Sequence, residues 1–141
     1  MLEHCENPLG TLRVHLDRVR PDGLLYYAIP DKLQCFDRDR PLTSFEHVVA
    51  DDRDGGAGSR RGHFLEWARF VNGIADPVAA GANADENMRN AYSIHFHVWT
   101  PATFREFLDK ARGHVGGGFS IEHFEANGTE VIAVLRRERA G

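Results

Sequence analysis

The sequence predicts an α/β fold, on three observations. Leu24-Leu25-Tyr26-Tyr27-Ala28-Ile29 is a continuous apolar run of strand length, closed by Pro30-Asp31. Segments on both sides of it carry apolar residues at three-to-four spacing, the period of a helix with one buried stripe. Near the end, Phe119 to Ala126 and Thr129 to Leu135 flank Asn127-Gly128, a pair that favours a tight antiparallel hairpin.

Asn7-Pro8 reads as an N-cap with proline at the first helical position, where its missing N–H costs nothing. Leu9, Leu12, Leu16 and Val19 then form one stripe, with Arg13, Asp17 and Arg20 toward water. Pro21-Asp22-Gly23 turns the chain into the apolar run. Continuous rather than alternating hydrophobicity there predicts a strand covered on both faces, as parallel strands are. Thr43-Ser44-Phe45-Glu46 has the capping-box form and predicts a short helix through about Ala50. Asp51 to Gly58 reads as a mobile loop. Ser59 is expected to cap a helix striped by Phe64, Trp67, Ala68 and Val71, stopped at Asn72-Gly73. Ile74 to Ala84 shows no periodicity and reads as a linker, followed by a short helix from Asp85 to Ala91. Ser93 to Trp99 reads as a short strand or extended loop. Thr100-Pro101 caps a helix with Phe104, Phe107, Leu108 and Ala111 inward, and Gly116-Gly117-Gly118 breaks it.

A chain of 141 residues suits one domain, 1–141, able to bury roughly 68% of its unfolded surface. A net charge of −4 argues against a nucleic-acid binder, which would carry a basic face. No apolar stretch approaches the roughly 20 residues that a membrane helix needs. No basic-then-apolar segment opens the chain, so a cytoplasmic location is expected. Cys5 and Cys35 have no CxxC spacing, and free thiols are expected. Eight histidines are the one compositional hint of chemistry.

Taken in register, Glu3-His4, the first helix, Arg20-x-Asp22-Gly23, the apolar strand, Pro30-Asp31 and the final hairpin resemble the C-terminal part of a class I S-adenosylmethionine-dependent methyltransferase of the type 11 kind. The resemblance implies a Rossmann-like sheet whose last strand is its one antiparallel member, inserted beside the fifth. It divides the chain into a helix and parallel strand (1–31), a helical insertion (32–92, with the loop 51–58), and a histidine-rich segment, helix and hairpin (93–141). The glycine-rich turn and ribose-binding carboxylate that such enzymes use have no counterpart here and are expected upstream of Met1. The chain alone is therefore expected to bind S-adenosylmethionine poorly and to be inactive. The implied partners are a small-molecule or sugar methyl acceptor, and either the missing half or a second copy paired through an open sheet edge. A metal-binding domain using His95 and His97, or a non-catalytic module pairing through that edge, are the alternatives.

Ligands of open α/β sheets sit at the carboxyl ends of the strands, here Glu3-His4 and Pro30-Asp31-Lys32. The resemblance places Glu3 and His4 at the cofactor's methionine end, with His4, Asp31 and His97 as catalytic candidates. Asp31 suits a general base or an Asx cap. Arg38, Arg40, Arg60 and Arg61 flank the expected loop, and paired guanidiniums grip phosphate or carboxylate, so Lys32, Arg60 and Arg61 are substrate-binding candidates. In Ile94-His95-Phe96-His97-Val98-Trp99, two-residue alternation would put His95, His97 and Trp99 on a substrate face and the others in the core. His-x-His joined by His63 or His47 and a carboxylate would also suit zinc or iron, though spacing specifies no further ligand.

Overall fold

The computed structural model of the chain describes residues 1–116 and 118–139. A 3-10 turn, Leu2–His4, precedes α1 (Pro8–Arg18), which Asn7 caps by accepting the Gly10 N–H at 2.7 Å. Then follow β1 (Leu24–Pro30), a second 3-10 turn (Lys32–Gln34), α2 (Phe45–Asp54), α3 (Arg60–Phe70), α4 (Pro77–Arg89), α5 (Pro101–Ala111), β2 (Phe119–Asn127) and β3 (Glu130–Arg137). Gly117, in the glycine run expected to break α5, lies outside the described residues. No helix among them is long and apolar enough to cross a membrane.

The protein is thus a mixed α/β structure with an open three-stranded sheet in the order β1-β3-β2, antiparallel throughout. Leu25 faces Leu135, Tyr27 faces Ala133 and Ile29 faces Val131 across the central pair. β1 has no parallel neighbour among the described strands, and it is covered on one face only. Tyr27 and Ile29 are buried, whereas Leu24 and Tyr26 on the other face are 53% and 63% exposed. A continuous apolar run shows that both faces can be covered, and among the described residues Leu24 and Tyr26 on the second face stay exposed.

The hairpin turn is Gly128-Thr129, one residue later than the sequence suggests, because Asn127 pairs with Glu130. Gly128 takes φ 63°, the positive value a tight turn needs at its first central residue. Burial of Val131, Ala133 and Leu135 holds β3 in register, and a bulge between Ile121 and His123 absorbs the extra residue.

Two helices differ from expectation. α2 runs through Asp54, where Gly55 at φ 74° ends it, so residues 51–58 are a helical turn followed by a connection. α4 occupies most of the expected linker. Asp76 accepts the Ala79 N–H at 2.7 Å with Pro77 at the first position, and Ala80 and Ala84 close the packing on α3. Alanine-rich helices need no strong periodicity when their small faces meet a neighbour.

The main core joins α1, α5 and one face of the sheet, through Leu9, Leu12, Ile29, Trp99, Phe104 and Leu108 among others. A second core, Phe64, Trp67, Ala84, Ile94 and Phe96, joins α3 and α4 to the histidine segment. Phe104→Ala should cost about 3–5 kcal/mol of unfolding free energy by urea denaturation. Val14→Ala, on the exposed face of α1, should stay within about 0.5 kcal/mol.

Candidate functional site

Ile94 to Trp99 are six consecutive buried residues in an extended stretch bent at Phe96. Buried backbone needs partners, and other segments supply them. The Ile94 carbonyl accepts from His4 Nδ1 at 3.0 Å, and the His95 carbonyl accepts from Arg40 at 2.8 Å. The Phe96 N–H donates to the Glu3 carbonyl at 2.6 Å, and the Trp99 carbonyl accepts the Lys32 N–H at 2.9 Å. Val98 donates to Thr43 Oγ1 at 2.9 Å and accepts the Thr43 N–H at 3.1 Å. The bend interrupts the expected alternation. His95 and His97 enter separate polar clusters, and Trp99 lies in the main core, stacked on His97 with ring centres 5.7 Å apart.

The first cluster gathers His95, Asp37, Arg40, Glu3 and His4. His95 Nδ1 donates to Asp37 at 2.5 Å, and Asp37 also accepts from Arg40 at 2.8 Å. Arg40 is fully buried and donates a second time to Glu66, at 2.8 Å. The His4 ring meets His95 edge-on at 4.6 Å and keeps 43% of its side chain exposed. Burial would raise the Asp37 pKa, but the hydrogen bonds from His95 and Arg40 outweigh it and hold the carboxyl below the usual range.

The second cluster gathers His47 and Asp51 from consecutive turns of α2, His63 from α3, and His97. His47 Nε2 lies 3.0 Å from His63 Nε2 and 3.3 Å from Asp51 Oδ2, which is 2.9 Å from His97 Nε2. All four ligand-type atoms lie within 4.8 Å of one another, the larger of two such groups among the described residues. Ser59 donates to the other Asp51 oxygen at 2.6 Å instead of capping α3. Burial, then the charges of His97 and His47, push His63 down to about 3, and burial also lowers His97 against the pull of Asp51. A cleft of about 450 Å³ opens on His47 and His63, bordered by Ser59, Gly62, Glu66 and Phe96.

The other candidates are committed elsewhere. Asp31 caps the second 3-10 turn, accepting the Leu33 N–H at 3.0 Å. Lys32 is buried and donates to the Arg38 carbonyl at 2.6 Å, while Arg38 donates to the Leu33 carbonyl at 2.8 Å. Arg60 faces Glu6 at 3.4 Å and Arg61 pairs with Asp85 at 2.8 Å. His95 and His97 do not share a donor cluster, contrary to the pairing expected of them: His97 lies with His47, His63 and Asp51, and His95 with Glu3 and His4. Asp51 was missed because its stretch read as a mobile loop, and Asp37 because nothing in the polar stretch around it singled it out. Carrying α2 one turn further would have put His47 and Asp51 on one face, four residues apart.

No family model matches the chain, and no curated protein or solved structure matches it either.

Because the folded pKa of Asp37 is depressed, its contribution is fully present above the unfolded value of about 3.9 and is lost as pH falls through the lower folded value. Urea midpoints measured from pH 5 down to pH 2 should fall, and fall less steeply in Asp37→Asn. Arg40→Ala, which strands two carboxylates, should cost about 3–5 kcal/mol at neutral pH.

Proposed function

We propose that this chain is the C-terminal part of a class I S-adenosylmethionine-dependent methyltransferase acting on a hydroxyl-bearing small molecule or sugar. The observation that carries this reading is the sheet order, with the final strand β3 lying antiparallel between β1 and β2. The free edge of β1 and its uncovered face, Leu24 and Tyr26, are where the remaining strands and helices of such a sheet would pack.

The residues present do not form a cofactor cradle. Glu3 is buried in the N-terminal 3-10 turn, and of the pair only His4 is half exposed. They do suit the handling of an acceptor. Donation from His95 Nδ1 to Asp37 leaves Nε2 as the proton-accepting nitrogen, oriented as in a base-and-carboxylate pair. His4, its side chain 43% exposed, meets the His95 ring edge-on. In the complete enzyme His95 would take the acceptor's hydroxyl proton, and Asp37 would stabilise the imidazolium.

Calorimetry of the 141-residue chain with S-adenosylmethionine should show no measurable binding; a low-micromolar dissociation constant would overturn the partial-fold reading. In the complete enzyme His95→Ala should lower kcat by about 10²–10⁴-fold, with full activity in that variant defeating the base assignment.

A further inference from the structure

The geometry points to a divalent metal site of the zinc class, held by His47, His63 and His97 through Nε2 and by Asp51 through Oδ2. It does not depend on the methyltransferase reading. Four ligands about 2.1 Å from a tetrahedral ion lie about 3.4 Å from one another; here three of the six separations are 2.9, 3.0 and 3.3 Å, and the other three stay within 4.8 Å. Three neutral imidazoles and one carboxylate are a donor set that zinc accepts readily.

Proton counting supports a cation at the centre. His97 Nδ1 lies 3.0 Å from the Cys5 carbonyl, which can only accept, so that nitrogen carries a proton. A neutral ring has one N–H, and His97 Nε2 then presents a lone pair to Asp51 Oδ2 at 2.9 Å. The alternatives are an imidazolium on a ring with no exposed surface, or a protonated Asp51 that gives up its carboxylate charge. An ion between the two atoms removes the conflict, because both lone pairs then bind it. The surroundings are those of metal ligands as well: the Cys5 carbonyl sets the His97 tautomer, and Ser59 fixes the second oxygen of Asp51. His47, with 38% of its side chain exposed, and the cleft beside it give an ion a way in.

Such an ion ties α2, α3 and the histidine segment together from three separate stretches of sequence. Four protein ligands make a closed site, whose effect is on stability. Protein purified without a histidine tag and dialysed against chelator should take up one Zn²⁺ per chain by calorimetry and elemental analysis. Its melting temperature should rise with zinc concentration. Cobalt(II) in place of zinc should give the intense visible absorption of tetrahedral coordination.

His47→Ala, at the most exposed ligand and so the variant least at risk of misfolding, should weaken zinc binding by at least about 100-fold. Ser59→Ala should weaken it by about 10–100-fold. His123→Ala, an exposed histidine of β2 outside both clusters, should bind as the unaltered chain does. No zinc retained by the unaltered chain, or equal zinc binding in His47→Ala, would overturn the site. So would a loss in His123→Ala as large as that in His47→Ala.

Discussion

Everything in this structure depends on satisfying the backbone of Ile94–Trp99. The segment is wholly buried and makes only one isolated bridge, Asp31 to Trp99, so its polar groups cannot be met by a regular ladder. They are met one at a time by the Glu3 carbonyl, the His4 ring, the Arg40 guanidinium, Thr43 and the Lys32 amide. Those partners come from four separate stretches of chain. Loss of the segment would therefore loosen the N-terminal 3-10 turn, the end of β1, the approach to α2 and the buried arginine together.

The same segment joins the two apolar cores. Trp99 belongs to the sheet core and Ile94 and Phe96 to the helical one, and the polar clusters fill the space at this junction. That location explains their composition. A buried Arg40 costs several kcal/mol of desolvation unless its donors are used, and Asp37, Glu66 and the His95 carbonyl use them. Asp37 takes hydrogen bonds from His95 and Arg40, and Asp51 takes one from Ser59, which favours the ionised carboxylates in surroundings that would otherwise protonate them.

The sheet is asymmetric in a way that bears on function. One face is closed by α1 and α5 through fully buried leucines and phenylalanines, and the other leaves Tyr26 and Leu24 to solvent. An apolar strand with a free edge and a bare face is a surface suited to further structure. It favours placing the chain within a larger sheet, and it is also where the non-catalytic pairing alternative would act.

Local signals alone determined much of the architecture. The Asn7-Pro8 and Thr100-Pro101 helix starts and the inward face Phe104, Phe107, Leu108 and Ala111 followed from short-range patterns, because caps and stripes act within a few positions, whereas the pairing of β1 with the last strand was an expectation of the family resemblance. Tertiary packing decided the rest. α4 forms in a stretch without a stripe because its alanines meet α3, and the hairpin turn shifts by one residue because the core face of β3 outweighs the Asn-Gly preference. The site was legible only as a list of histidines. Which histidine joins which carboxylate depends on the bend at Phe96 and on the extra turn of α2 that carries Asp51. Both are set by burial among groups up to 92 residues apart in sequence, a distance over which no local pattern carries information.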